Sequence, residues 1–460
     1  MLLSMEEFRA FQPKKPTYAL FGWPLGHTMS PELHAQLFEA SGQDAAYIGV
    51  AVPPDDLAEA FDLAKAKLRG INCTIPHKKA VIELLDGVDT AARDLHSVNT
   101  VAFRDGKAIG YNTDILGFSE SLVRDGVTLR GKKVLLLGYG GASVMAYHCA
   151  REGACLTITG RNLEKAAALQ QQIAETVPHA RVSVYSRRHI PRDIQIVLNS
   201  TPVGMYPKEN LAPLHYLPHK TEYVFDAIYN PPVTATMRLA NPRKTATRDG
   251  LYMLVMQAAH AQTIWSGVTF EPASCETILR RTYGKMAVKR LHEKYGKKNL
   301  VLCGFMGSGK TTIGRKLARV TGLDFVDADL YLEEKEGMKI SDIFAQKGEA
   351  YFRDRETAYI RELSQRDGIV LSLGGGAVLR PENVAAVKET GLLIHLDTPF
   401  YRILKNLSYS NSRPLLNRPD KQAETRRLYN VRKSIYHRVS DTSVRSPKLS
   451  EVLDKVVKSV

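Results

Sequence analysis

An α/β fold built on parallel sheets is what this chain predicts. Short apolar runs that read as strands alternate throughout with helical patterns: Tyr18 to Gly22, Val134 to Gly138, Leu156 to Gly160, Ile194 to Asn199, Asn299 to Gly304 and Ile369 to Leu373. Two of these runs lead into glycine-rich turns that open helices, the sequence form of a phosphate-binding strand-turn-helix unit. At roughly 100 to 200 residues per domain, 460 residues make about three domains.

Composition narrows the class further. With 44% hydrophobic and 24% charged residues the chain is neither disordered nor collagen-like. The apolar stretch Val134 to Ala150, free of formal charge, is shorter than the roughly 20 residues of a membrane helix and is broken by Gly138, Gly140 and Gly141, so no membrane partner is expected. Met1 to Ala10 carries Glu6, Glu7 and Arg9 instead of a secretory apolar core, and the expected location is the cytoplasm. The 5 cysteines form no CxxC pair, which points to buried thiols and not to disulfides or zinc. A net charge of +15 favours anionic ligands. No zinc finger, RNA-binding signature or basic-aromatic tract accompanies it, so weak, salt-labile polynucleotide association is the most expected and no specific nucleic-acid partner is. Nothing in the sequence sets an oligomeric state.

Taken in chain order, the first strand runs into Gly22, Trp23, Pro24, Leu25, Gly26, His27, Thr28, Met29, Ser30 and Pro31. Two hydroxyls here precede a helix, for which Ser30 is a candidate cap and Pro31 a first-turn residue. Asn72 to Lys78, Ser97 to Thr100 and Gly110 to Asp114 add amides, hydroxyls, a lysine and an aspartate at loop positions, a lining suited to a small polyhydroxylated acid. The strand Lys133 to Leu137 is followed by Gly138, Tyr139, Gly140, Gly141, Ala142 and Ser143, and then by a helical run from Val144 to Glu152. Such glycines let backbone amides approach a pyrophosphate. The next strand ends in Gly160, Arg161 and Asn162, where an acidic residue would suit NAD and an arginine suits the 2′-phosphate of NADP. NADP is the expected cofactor.

Together with Asn199 to Met205, Asp226 to Pro231 and Gly250 to Gln257, these segments resemble shikimate dehydrogenase over about residues 18–282. The resemblance implies Lys78 as the proton-transferring group with Asp114 beside it. It also implies Thr28, Ser30, Thr74, Asn99, Tyr229 and Gln257 around the substrate, and Gly138, Gly140, Gly141, Ala142 and Arg161 at the cofactor. Three departures stand out: Thr28 where serine is usual, Tyr139 where a small residue is usual, and Gly160-Arg161-Asn162 in place of Asn-Arg-Thr. NADP preference is expected to survive with altered strength, while the choice between shikimate and quinate stays open.

Farther on, the strand from Asn299 to Cys303 enters Gly304, Phe305, Met306, Gly307, Ser308, Gly309, Lys310, Thr311 and Thr312, a complete GxxxxGK[ST] loop opening a helix. Its amides would cradle the phosphates of a nucleoside triphosphate, Lys310 would reach the β and γ phosphates, and the Thr311 hydroxyl would bind Mg²⁺. The acceptor must be read elsewhere. Asp327-Ala328-Asp329, Gly348 to Glu356, Gly374-Gly375-Gly376, Arg413 to Leu416 and Arg432 resemble shikimate kinase over residues 299–460. That resemblance implies Asp329 as the group accepting the proton of the acceptor hydroxyl, Arg353 and Arg432 as the carboxylate clamp, and Gly375 and Gly376 beside the ring. Asp327 would serve Mg²⁺, and Arg413 would lie in a lid over residues 406–422. Ser434 stands where the family usually has proline. Read without the family, the aspartates are a helix cap, and Arg353 with Glu356 a surface ion pair.

The expected organisation is an α/β substrate domain over residues 1–115, completed by about 250–285, and a Rossmann NADP domain over 116–249. A solvated, basic linker over 286–298 then leads to a P-loop, nucleoside-monophosphate-kinase-like parallel-sheet domain over 299–460. The expected activity is bifunctional: 3-dehydroshikimate is reduced to shikimate by NADPH, and shikimate is phosphorylated by ATP. The alternatives are a quinate/shikimate dehydrogenase fused to a small-molecule kinase, or a regulatory protein that keeps both folds. Substitution of Lys78, Asp114, Lys310 or Asp329 would favour the regulatory reading, and none is substituted.

Overall fold

A computed structural model describes the chain except residues 27, 141–143, 409–420, 446–447 and 460, and the side chains of residues 408, 421 and 422. Two compact units divide it, Met1–Leu279 and Arg280–Val460. All the strand-like runs form strands within two residues of their expected ends.

The first unit holds two sheets. Strands β1 (Leu2–Leu3), β2 (Thr17–Gly22), β3 (Ala46–Ala51), β4 (Gly70–Cys73), β5 (Gly87–Val88), β6 (Thr100–Arg104) and β7 (Lys107–Tyr111) lie in the order β1-β3-β2-β4-β6-β7-β5. The strands β1 to β4 are parallel, and β6 runs antiparallel to both β4 and β7. Every residue of β2 is buried, which is why its sequence is an unbroken apolar run and not an alternating one. The register pairs Phe21 with Cys73, so the segments leaving β2 and β4 start side by side.

The second sheet contains β8 (Lys133–Leu137), β9 (Cys155–Thr159), β10 (Arg181–Val184), β11 (Ile196–Asn199), β12 (Tyr223–Asp226) and β13 (Ala246–Arg248), all parallel, in the order β10-β9-β8-β11-β12-β13. From β8 the chain winds outward to β10, then crosses back to the other side of β8 for β11. That reversal opens a crevice at the carboxyl ends of β8 and β11, where doubly wound sheets bind nucleotides. Leu137 pairs with both Thr159 and Asn199, which sets Gly138, Gly160 and Ser200 along one edge.

In the second unit β14 (Asn299–Cys303), β15 (Asp324–Asp327), β16 (Ile369–Ser372), β17 (Gly391–Leu396) and β18 (Thr442–Val444) form a parallel sheet in the order β15-β16-β14-β17-β18. Asp327 is in register with Ser372, so the segments carrying Asp329 and Gly374 leave adjacent strands.

One expectation is corrected here. Residues 286–298 are not a solvated linker, because the helix Pro272–Tyr295 contributes Ala287 and Leu291, both fully buried, to a core shared with Leu300, Leu302, Leu317 and Val456. Gly284 on the same helix faces the next helix so closely that a Cβ there would lie 2.4 Å from the Val320 carbonyl oxygen. The basic residues that suggested solvation occupy only part of the helix, while Ala287, Val288 and Leu291 pack into the core of the second unit.

Two candidate active sites

The first site is framed by buried polar side chains between β4 and the helix Asp114–Arg124. The Asn72 amide donates to the Asn99 carbonyl at 2.9 Å and accepts from the Tyr47 hydroxyl at 2.7 Å. Asn99 Oδ1 accepts from the Thr113 backbone N–H at 2.7 Å, and its Nδ2 donates to Thr113 Oγ1 at 3.1 Å. Asn112 Oδ1 then accepts from the backbone N–H of Asp114 at 3.1 Å. These bonds place Asp114 at the amino end of its helix, where a carboxylate is favoured by the helix dipole.

Lys78 enters from the short helix His77–Ala80, whose backbone is tied in when Val98 N–H donates to the Lys78 carbonyl at 2.8 Å. Its Nζ meets Asp114 Oδ2 at 2.5 Å, with the two side chains 19% and 14% exposed. A mostly desolvated but reachable lysine–aspartate pair is able to hold or deliver a proton at a polar substrate atom.

The remaining expected substrate residues sit on flanking elements. Thr28 Oγ1 accepts from the Ser30 backbone N–H at 3.2 Å. Ser30 does not cap its helix, which begins at Ser30 itself with Met29 in the cap position and Pro31 in the first turn. Thr74 follows β4 and donates its backbone N–H to Phe21 at 2.8 Å. Gln257 is brought close by a tight helix crossing. A Cβ on Gly117 would lie 2.4 Å from the Met253 carbonyl oxygen and 3.1 Å from the Gln257 nitrogen. Tyr229 lies half-buried after β12, and burial raises its hydroxyl pKa. Just before it, Asp226 is fully buried and accepts from Asn199 Nδ2 at 2.9 Å, Thr234 Oγ1 at 2.7 Å and Ile228 N–H at 3.1 Å. Burial pushes its carboxyl up to about 6 against those three donors.

At the nucleotide edge, Gly138 takes a φ of 104° and Gly140 has open space where a Cβ would stand. Arg161 is exposed, and among the described residues it forms no ion pair. The pairing of a glycine turn with a free arginine at the end of the neighbouring strand fits a dinucleotide bearing an extra phosphate. Gly141 and Ala142 lie outside the described residues.

The second site begins at the loop after β14. Gly304, Gly307 and Gly309 all adopt positive φ, and Gly309 precedes the helix Lys310–Thr321. Lys310 Nζ donates to the carbonyls of Gly304 at 2.9 Å and Phe305 at 3.1 Å. Ser308 is buried with an unpartnered Oγ, and Thr312 is exposed on the first turn. Thr311 Oγ1 donates to Asp327 Oδ2 at 2.8 Å. Two hard oxygen donors at that spacing fit a Mg²⁺ ion completed by water and phosphate oxygens. Asp327 also caps the next helix by accepting from Asp329 N–H at 3.2 Å, so the cap reading holds and is compatible with a metal-ligand role.

The acceptor side gathers around residues 374–376. A Cβ on Gly374 would lie 2.6 Å from Asp329 Oδ1 and 2.8 Å from Glu356 Oε1, and one on Gly376 would lie 2.7 Å from Arg353 Nη1. Arg353 Nη1 binds Glu356 Oε2 at 2.7 Å. Gly375 is less tightly enclosed by the protein, since the nearest neighbour of a Cβ there would stand at 3.4 Å. Its carbonyl instead accepts from Arg432 Nη1 at 3.4 Å and from the Tyr436 hydroxyl. Glu356 is 4% exposed, not the surface ion-pair partner that i,i+3 spacing suggests, and burial raises its carboxyl pKa. Gly374 and Glu356 are the site residues that sequence reasoning passed over, although both lie inside motifs that it singled out. Arg413 and the centre of the expected lid lie outside the described residues.

Comparison with known proteins matches both halves of the chain to known families. The family model for the shikimate dehydrogenase substrate binding domain matches residues 20–101, and that for shikimate kinase matches residues 306–460. The NADP(+)-dependent shikimate dehydrogenase of Aquifex aeolicus (strain VF5) is 35% identical over 269 residues, covering 58% of this chain and 97% of that protein. A crystal structure of a shikimate dehydrogenase in complex with NADP+ superposes with a TM-score of 0.55 at 34% identity, over 58% of this chain and 95% of that one. A chorismate mutase/shikimate 5-dehydrogenase fusion from Clostridium acetobutylicum gives 0.53 at 30%, over 62% of this chain and 100% of that one.

Proposed function

The chain belongs to the shikimate dehydrogenase family over its first unit and carries a shikimate kinase domain in its second, and from that premise we propose how its residues divide two successive reactions. The first is reduction of 3-dehydroshikimate to shikimate with NADPH. The second is transfer of the ATP γ-phosphoryl group to shikimate, giving shikimate 3-phosphate.

In the first reaction NADPH, when bound, supplies a hydride to the ketone carbon. Lys78 donates its proton to the ketone oxygen as negative charge develops there, and Asp114 holds the ammonium in place. Thr28, Ser30, Thr74, Asn99, Tyr229 and Gln257 bind the carboxylate and hydroxyls, and Asn99 does so while also fixing Thr113 beside Asp114. Gly138, Gly140, Gly141 and Ala142 admit the pyrophosphate, and Arg161 takes the 2′-phosphate.

In the second reaction the loop from Gly304 to Thr312 cradles the ATP phosphates, Lys310 neutralises the transferring group, and Thr311 with Asp327 holds Mg²⁺. Asp329 accepts the proton of the attacking hydroxyl. Arg353 and Arg432 grip the carboxylate, and Arg413 closes over the nucleotide.

The observation that carries this reading is that both reactive pairs are assembled, Lys78 on Asp114 at 2.5 Å and Thr311 on Asp327 at 2.8 Å. A regulatory protein has no need of either. Assays of the purified chain test it. Lys78→Ala is expected to abolish NADPH oxidation alone, and Lys310→Ala phosphorylation alone. Loss of both activities in either folded variant would overturn the assignment of two independent sites.

A further inference from the structure

We infer that Tyr139 is a positioning residue that sets this enzyme's preference for NADPH over NADH by fixing the backbone on both sides of Arg161. The inference rests on the proposal that Arg161 reads the 2′-phosphate, and it gives the two departures at the nucleotide edge a single physical cause.

Tyr139 leaves the end of β8, which is tied to β9 where Gly138 N–H donates to the Thr159 carbonyl at 2.8 Å. Its ring lies against Gly160 so closely that a Cβ on that glycine would stand 2.3 Å from Cε1 and 2.9 Å from Cδ1. Real side chains do not approach a ring carbon that closely, so residue 160 must lack a side chain for Tyr139 to sit there. The ring thus takes the volume that a side chain at position 160 would fill, and the bulky residue at 139 and the bare one at 160 are one exchange.

The tyrosine hydroxyl extends the effect past Arg161. It accepts the backbone N–H of Asn162 at 3.1 Å, and Asn162 Oδ1 in turn accepts from Lys165 N–H at 3.0 Å to cap the helix Leu163–Thr176. Residue 160 is therefore pinned by the ring and residue 162 by the hydroxyl. Arg161 between them is exposed and, among the described residues, makes no hydrogen bond or ion pair of its own. Its guanidinium is left for an external anion next to a helix amino terminus, where a phosphate is favoured. The long arginine side chain gains little from that field unless its backbone is held, and Tyr139 supplies the hold.

The test uses the full chain with 3-dehydroshikimate and either NADPH or NADH, and thermal unfolding of the dehydrogenase unit serves as the check on folding. Tyr139→Phe removes one hydrogen bond and is expected to raise KM for NADPH about fivefold, with kcat and KM for NADH unchanged. Gly160→Ala displaces the ring and is expected to raise the same constant at least as far. In Tyr139→Ala the ring is gone, so adding Gly160→Ala should cost little more, a non-additivity expected of touching residues. An unchanged NADPH-to-NADH ratio in Tyr139→Phe would overturn the inference even if Gly160→Ala fails to fold, and so would penalties that multiply in the double variant. A parent enzyme that binds NADPH no better than NADH would instead overturn the NADP assignment on which the inference rests.

Discussion

At the scale of single residues, two carboxylates with similar sequence surroundings are assigned different tasks by their environments. Asp329 faces Gly374 at the acceptor side of the kinase site, and Asp329→Asn is expected to lower kcat for phosphorylation by about a hundred- to ten-thousandfold while leaving NADPH oxidation intact, as parallel assays of one preparation would show. Asp226 is structural, and burial pushes its carboxyl from the ordinary 3.8 up to about 6 in the folded chain. Its contribution to stability is therefore fully present below pH 3.8 and is lost as pH rises through 6, for a total of roughly 3 kcal/mol. Denaturant unfolding of the wild type and Asp226→Asn between pH 4 and 7 should show their stability difference changing across that window and level above it. A constant difference would contradict the assignment. The sequence shows Asp226 as one letter in a motif, but it does not show that three donors surround a fully buried carboxylate. Glu356 escaped notice for the same reason, because i,i+3 spacing from Arg353 describes an exposed pair and a buried one equally well.

At the scale of elements, helix and strand approaches set the site geometry. The crossing of the helices Asp114–Arg124 and Leu251–Ser266 is closed by Gly117, and Gly117→Ala would force a methyl to within 2.4 Å of a carbonyl oxygen. Overpacking of this kind costs about 1–3 kcal/mol. Thermal unfolding should show the loss in the dehydrogenase unit, and KM for 3-dehydroshikimate should rise because Gln257 and Asp114 ride on the two displaced helices. The strands that lead into the two glycine turns were legible, since β8 and β14 are buried apolar runs. The short antiparallel strands β6 and β7 were not. Thr100–Arg104 and Lys107–Tyr111 are brief, and their pairing depends on a partner, β4, that local patterning does not name.

For the whole molecule, the division after Leu279 makes a prediction about fragments. Residues 280–460 should fold and phosphorylate shikimate alone, whereas residues 299–460 lose the buried Leu291 and Ala287 from the core. Removing a buried leucine alone costs about 2–5 kcal/mol. Urea unfolding of the two fragments should show the shorter one less stable by at least that amount, and equal midpoints would return residues 286–298 to the role of a connector. Charge misled the sequence reading at this point, because lysines crowd one stretch while apolar residues on the same helix complete a core that only folding reveals.

What the sequence determined by itself is local: two strand-turn-helix units with phosphate-binding glycines, an arginine at the NADP position and a lysine-threonine pair after the second turn. Such units are encoded within a dozen residues by periodicity and turn chemistry. Tertiary structure alone decided that Lys78 touches Asp114, that Gly374 lies against Asp329 and Gly376 against Arg353, and that Tyr139 occupies the space over Gly160. Each of these is a contact between residues far apart in the chain, fixed by strand register and helix packing. A hydrophobic pattern permits many such arrangements, and only close packing selects one.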